Sequence, residues 1–243
     1  MLHRLAPSFV LALATLALGF RADAGVPNAQ AAPAVPAPPP KPDPIAKPGG
    51  LSAEEIADRV QAFYDRTKVF KAGFRQRYTV PTYSKTKDSS GSVVFEKPGK
   101  MSWRYTNNGN RVVSDGKIIK IYEKENKQMY EQPLAKTQYP AAFAFLTGSG
   151  NLKDAFKLTR LDEKTMKAEG AYVLLGVPKD ATPAYQKVFL YVDAGTFQVR
   201  RVMMLDAQRN RNSFTFVNPE VNGKPPQGEF AFTPPPGTQV IKP

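Results

Sequence analysis

Cysteine is absent from the 243 residues, and histidine occurs once, at His3. The first absence rules out disulfides, so the fold has to be held by its core alone. It also removes thiol nucleophiles, thiolate metal sites and the residue to which a bacterial lipoprotein's lipid is attached. The second absence leaves no imidazole for a Ser-His-Asp triad, a general base or a histidine metal site beyond the first few residues. Carboxylate chemistry survives these exclusions, but acidic pairs are sparse. Glu54-Glu55 opens a helical pattern and Asp162-Glu163 ends a strand pattern, and neither stands in a glycosidase or metal-loop context. The expectation is a protein that is not an enzyme and uses no cofactor and no metal. After Phe20 no apolar run approaches the ~20 residues that cross a bilayer, so a soluble mature chain is expected.

What is present begins with a leader. Arg4, an apolar run from Leu5 to Phe20 and Ala22-Asp23-Ala24 are the three parts of a secretory signal peptide, expected over residues 1–24. Residues 25–50 are rich in Ala and Pro around APAVPAPPPKPDP. Such a segment cannot bury a core and favours extended polyproline II, which makes it a semi-rigid spacer or, alternatively, a Pro-rich docking peptide. The folded domain is expected over residues 51–243. Formal net charge is +13, and loss of Arg4, Arg21 and Asp23 with the leader leaves +12. Export to the periplasm argues against nucleic acid. The charge suits phospholipid headgroups or an acidic partner, or keeps a sticky protein in solution.

Within the domain, Ser52-Ala53-Glu54-Glu55 reads as a capping box, followed by Ile56, Val60 and Phe63 on one helical face. From Phe70 the period becomes two: Phe70, Ala72, Phe74, Gln76, Tyr78 and Val80 share a face. Residues 82–90 read as a polar loop. Pro140 to Leu146 read as a short helix without charge, and Asn151 as the cap of a brief turn. Strand patterns then fill 157–161, 172–177, 187–192, 196–206 and 212–217, with Asp193-Ala194-Gly195 as a hairpin link.

The stretch GSVVFEKPGKMSWRYTNNGNRVVSDGKIIKIY, Gly91 to Tyr122, organises the rest. It reads as four short strands turned at Lys97-Pro98-Gly99-Lys100, a type II turn signal, then at Asn108-Gly109 and Asp115-Gly116, both hairpin signals. Met101, Trp103 and Tyr105 fall on one face. That face is either ordinary core or the wall of a pocket for something apolar. With few helices and no βαβ alternation, the fold class is mainly β: an antiparallel sheet of about 11 strands, curled into a barrel or partial barrel. Barrels of this class commonly hold apolar ligands.

FKAGFRQRY, GSVVFEKPGKMSWRY, RVVSDGKIIKIYEKENKQMY and FAFTPPPGTQVI, in that order and spacing, resemble the periplasmic outer-membrane lipoprotein carrier (LolA) family over nearly all of residues 51–243. The resemblance implies an incomplete antiparallel β-barrel lidded by short α-helices around an apolar cavity. It implies a monomeric periplasmic carrier whose cargo is acylated lipoproteins. These come from an inner-membrane lipoprotein-releasing ABC transporter and pass to an outer-membrane lipoprotein receptor. The acyl-chain cavity then falls to Phe74, Phe95, Met101, Trp103, Tyr105, Phe143, Phe145 and Leu146, the last three from the lid. Where the family has an arginine that holds the lid by its carbonyls, this chain has Lys97. Lysine keeps the charge and loses the planar fork, so closure is expected to be weaker or differently arranged. A lipid- or lipoprotein-sensing or free-lipid-binding envelope protein of the same fold is the alternative. Met101→Glu or Phe143→Glu is expected to block loading while leaving the domain folded.

Overall fold

The computed structural model describes residues 50–136, 143–148 and 150–242; the expected signal peptide and nearly all of the spacer lie outside them. The domain opens with helix α1 (Ala53–Asp65), and its capping box is formed. The Ser52 hydroxyl accepts from the Glu55 N–H at 3.1 Å, and the Glu55 carboxylate accepts from the Ser52 N–H at 2.7 Å. The apolar stripe of α1 is Ile56, Ala57, Val60 and Tyr64, all buried, with Phe63 half-buried beside it.

Twelve strands follow: β1 (Val69–Val80), β2 (Lys85–Glu96), β3 (Lys100–Tyr105), β4 (Arg111–Asp115), β5 (Ile118–Glu123) and β6 (Gln128–Pro133) in the first half. Short helices α2 (Ala144–Thr147) and α3 (Leu152–Ala155) separate these from β7 (Phe156–Leu161), β8 (Ala171–Pro178), β9 (Lys187–Asp193), β10 (Val199–Leu205), β11 (Arg211–Val221) and β12 (Gln239–Ile241). They make one sheet in the order β12-β6-β5-β4-β3-β2-β1-β11-β10-β9-β8-β7, with β12 and β7 at its two ends. The sheet curls without closing, because one buried cluster takes side chains from both halves: Trp103 and Ile119 from one, Leu174 and Leu190 from the other. This is the incomplete barrel. Period-two alternation puts Phe70, Phe74, Met101, Trp103, Tyr105 and Phe214 on its inner face.

Two parts of the sheet differ from the sequence expectation. Residues Lys85 to Ser90, expected as loop, are strand, paired in register with β1 from Val80↔Lys85 to Arg75↔Ser90. This end of the hairpin has no apolar face. Cross-strand polar pairs hold it instead, among them Arg77 bidentate to Asp88 at 2.8 Å. The twelfth strand, β12, was expected only as an extended end, and it pairs parallel with β6. To reach β6 from β11 the chain must cross the sheet's outer face. Residues 222–238 do so as a strap, with Phe232 against Tyr122 of β5 at 5.4 Å between ring centroids and over the Arg111 guanidinium at 5.2 Å.

The strap is fastened at Glu229, which is 4 % exposed and takes two hydrogen bonds from Arg104 of β3, both 2.9 Å. Burial alone would raise the Glu229 carboxyl. Hydrogen bonds from Arg104 and Ser102 and the charges of Arg104 and Arg111 more than offset it and hold it below its ordinary 4.5. A depressed folded value means that the clamp's contribution is complete above the ordinary carboxylate range and is lost as pH falls through the folded value. Arg104→Ala is therefore expected to cost about 2 kcal/mol at pH 7, the scale of hydrogen bonds to a charged group. In denaturant titrations the gap between this variant and the parent should narrow below about pH 4. An equal gap at pH 7 and pH 3 would remove Glu229 as its cause.

Candidate functional site

The inner face of β1, β2 and β3 carries the centre of the site. Register sets Val93 opposite Trp103, Phe95 opposite Met101, and Gly91 opposite Tyr105. Glycine is required at 91: a Cβ there would lie 1.8 Å from the Arg104 carbonyl oxygen and 2.8 Å from the Phe74 ring. Its absence lets Phe74 settle between Trp103 and Tyr105, with ring centroids 5.1 and 5.0 Å away and edges turned to faces. Trp103, the chain's only tryptophan, also meets Phe95, Phe143 and Phe214 edge to face at 5.6, 5.7 and 5.4 Å.

Phe143, Phe145 and Leu146 reach this face from α2 and the residue before it, and all three are at most 2 % exposed. Phe145 packs on Tyr64 of α1 at 4.7 Å, so α1 and α2 cover the same side of the sheet. All eight residues expected to line the cavity thus lie in one buried cluster. Phe143, Phe145 and Leu146 of the lid segment pack into the same cluster as Phe74, Phe95, Met101, Trp103 and Tyr105 on this face. The rest of the expected lid helix, Pro140 to Ala142, lies outside the described residues. Met101→Glu and Phe143→Glu would each place a carboxylate in this buried cluster, so their effect on loading cannot be separated from an effect on folding.

Lys97 stands in the β2–β3 turn. Its ammonium donates to the Tyr64 carbonyl at 2.6 Å, in the last turn of α1, where the helix dipole favours a cation. Its methylene stem lies across Gly148 at the end of α2, close enough that a Cβ on Gly148 would come within 2.8 Å of Lys97 Cδ. Gly148 has φ +71°, which also favours glycine. The lid's own backbone tie is the Gly99 N–H donating to the Thr147 carbonyl at 3.1 Å. One turn therefore touches both covering helices. Burial holds the Lys97 ammonium below its ordinary value, with Asp65 opposing.

A separate groove of about 640 Å³ opens on the outer face, with Arg75, Arg77, Arg201 and Arg211 among its lining. Most of its lining residues are polar or charged, Asp88 among them, and none of the eight residues expected to line the acyl-chain cavity belongs to it. The acidic pairs are engaged elsewhere. Glu55 belongs to the capping box, Glu163 takes a hydrogen bond from Arg160 at 2.8 Å, and Asp162 accepts from the Thr165 N–H at 2.7 Å. Among the described residues, no three His, Cys, Asp or Glu side chains gather as a metal site would require.

The sequence model of the family described as outer membrane lipoprotein carrier protein LolA matches residues 65–233, more than half of the chain. The chain belongs to the LolA family. The outer-membrane lipoprotein carrier protein of Bordetella avium is 28% identical over 191 residues, 78% of this chain and 88% of that one. The protein of the same name from Ralstonia nicotianae is 30% identical over 155 residues, 63% of this chain and 69% of its own. Among solved structures, an uncharacterized conserved protein from Thermus thermophilus aligns with TM-score 0.49 at 15% identity, over 79% of this chain and 99% of that one. A LolA superfamily protein from Nitrosomonas europaea aligns with TM-score 0.41 at 15% identity, over 74% of this chain and 98% of its own.

At the position where the LolA resemblance puts an arginine, the lysine's ammonium donates to the Tyr64 carbonyl of α1. Sequence reasoning missed Tyr64, which joins both helices to the sheet: its hydroxyl accepts from the Val199 N–H at 3.1 Å. It also missed Phe214, though the alternation in NSFTFVN carried the signal. Two polar atoms in the aromatic cluster, Trp103 Nε1 and the Tyr105 hydroxyl, are buried without a hydrogen-bond partner among the described residues. Each such orphan costs about 1–3 kcal/mol.

If packing holds the lid, Lys97→Met, which keeps the stem, should change stability by less than about 0.5 kcal/mol. Gly148→Ala, strained in φ and pressed against that stem, should cost about 1 kcal/mol and speed uptake of an apolar dye. A loss of ~2 kcal/mol or more from Lys97→Met, the scale of a strong charge-assisted bond, would instead make the ammonium the main fastening.

Proposed function

We propose that this protein is a periplasmic carrier that shields the acyl chains of lipoproteins leaving the inner membrane and delivers them to an outer-membrane acceptor. One observation supports it above the rest: in a LolA-family chain, a segment of one helical turn plugs an aromatic, Met-containing sheet face with Phe143, Phe145 and Leu146. A carrier must release what it binds, and the magnitudes permit that. Returning those three side chains to water costs roughly 1.5–3 kcal/mol each. One long acyl chain removed from water returns roughly 10 kcal/mol. The first chain therefore about offsets the displaced plug, so exchanging plug for chain is nearly balanced.

On this reading, Phe74, Phe95, Met101, Trp103 and Tyr105 form the fixed wall, and Phe143, Phe145 and Leu146 the part that moves aside. Lys97 steadies the cover as a weak latch. Residues 1–24 direct export as a cleaved signal peptide, residues 25–50 act as a spacer, and residues 51–243 are the carrier domain. Cargo arrives from a lipoprotein-releasing ABC transporter and leaves to a receptor anchored in the outer membrane. Depleting the protein should leave lipoproteins in the inner-membrane fraction. Capture of the tagged protein from envelope extract should bring down acylated proteins identifiable by mass spectrometry. Unchanged lipoprotein distribution after depletion, with capture returning only glycerolipid, would replace the carrier with a lipid-binding protein of the same fold.

A further inference from the structure

Buried polar atoms in this interior are paired where they serve the fold. The Tyr64 hydroxyl takes the Val199 N–H, and Gln76 donates to Asn212 at 2.9 Å. Trp103 Nε1 and the Tyr105 hydroxyl break that rule, although Trp103 is 0 % and Tyr105 9 % exposed. More than nine in ten buried polar groups in proteins find a partner, so two orphans on one strand call for an explanation. Phenylalanine would fill the Tyr105 position without the penalty. The unpaired atoms of Arg111 and Arg201 stack on Phe232 and Tyr191 on the outer face, so they do not share this setting.

The two donors stand two residues apart on the inner face of β3, about 7 Å along the strand, with the Phe74 ring against both. Burial pushes the Tyr105 hydroxyl well above its ordinary value, so it stays an O–H donor at any physiological pH. Indole N–H can only donate. A matching ligand group must therefore be an acceptor, uncharged enough to enter an apolar interior. A hydrocarbon tail offers none, but the ester or amide that joins an acyl chain to its carrier molecule offers a carbonyl oxygen. That carbonyl also needs a donor once it leaves water.

We propose that Trp103 Nε1 and the Tyr105 hydroxyl donate hydrogen bonds to acyl carbonyls of the cargo, forming a polar subsite inside the apolar cavity that sets how deep the chains insert. The inference rests on the carrier reading. It adds a specificity: ester- or amide-linked acyl chains are preferred over ether-linked chains of the same length. The carbonyl can belong to the glyceryl group of a lipoprotein or to a glycerophospholipid.

The test compares binding of a diacylglyceryl lipopeptide with that of its dialkyl ether counterpart, and a diacyl with a dialkyl phospholipid. The proteins are the parent chain, Trp103→Phe, Tyr105→Phe and the double variant. The parent should bind the ester lipopeptide about fivefold more tightly than the ether, the scale of one net hydrogen bond. The ratio should fall in each single variant and approach one in the double variant. The ester carbonyl infrared band should move to lower frequency on binding the parent and not on binding the double variant. Because Tyr105→Phe removes an orphan and keeps the ring, its unfolding midpoint should equal or exceed the parent's, while Trp103→Phe, which also leaves a gap, should lower it and still lose the ester preference. An ester preference confined to the phospholipids would support the carbonyl subsite and assign its source to lipid. Equal affinity of the parent for ester and ether forms overturns the subsite while leaving the carrier reading standing. Failure of the parent to bind any of the four ligands overturns both.

Discussion

An antiparallel sheet that curls without closing has an inner face that its own strands cannot finish covering. Here that face is aromatic from β1 through β3 and across to β11, with Phe74, Trp103 and Phe214 within 5.1 to 6.3 Å of one another as ring pairs. Closing the barrel would bury the face by backbone pairing and make it permanent core. Leaving it open requires a cover made of something else, and the chain supplies α1 and the short lid. The cover is where this fold keeps its freedom, because a helix packed by side chains can leave a sheet without breaking any ladder hydrogen bond.

The two covering pieces are fastened differently. α1 is a 13-residue helix with a capping box, four fully buried side chains on its stripe and a tyrosine hydroxyl bonded into the β10 backbone. α2 has four residues, too few to be stable as a helix by itself. It is held by what its apolar side chains bury, by one backbone bond from Gly99 and by the Lys97 stem across Gly148. The ammonium at the end of that stem is bonded to α1 and is poorly solvated there, so it positions the turn more than it locks the lid. An apolar guest competes with the lid for the same surface, in the same kind of interaction and at similar magnitude. That equivalence makes exchange feasible without a source of energy at the site.

How much of this could be read from the residues follows from which interactions leave a pattern. The inner face was legible because alternation and helical spacing are written into FKAGFRQRY and the α1 stripe, and the β3–β4–β5 turns because Asn-Gly and Asp-Gly require positive φ, found at Gly109 and Gly116. The strand over Lys85 to Ser90 was illegible because both its faces meet water, so its register comes from backbone pairing with β1 and from Arg77–Asp88. Tyr64 was missed because a phenol that joins α1 to Val199, 135 residues on, has no local signature. The packing of α2 onto the sheet was equally beyond reach. Periodicity shows which side chains face inward, but not whether rings from α2 fill the space between them.

On the proposed carrier reading, the outer face favours the lid, and not the sheet, as the part to move. Because β12 runs parallel to β6, residues 222–238 must cross the strands whose inner faces carry Met101, Trp103 and Ile119. The strap clamps β3 through Arg104 and Glu229. It covers Arg111 of β4 with the Phe232 ring and accepts Lys120 of β5 on the Phe232 carbonyl at 3.0 Å. Flattening β3 to β5 to widen the interior would strip these contacts, expose Val113 and Tyr122 beneath them and leave a carboxylate facing an emptied guanidinium site. Lifting α2 would break the Gly99–Thr147 backbone bond and expose Phe143, Phe145 and Leu146. The strap thus braces the wall from behind, and on the carrier reading a braced wall facing a plug of one helical turn directs the motion to the side from which an acyl chain would enter.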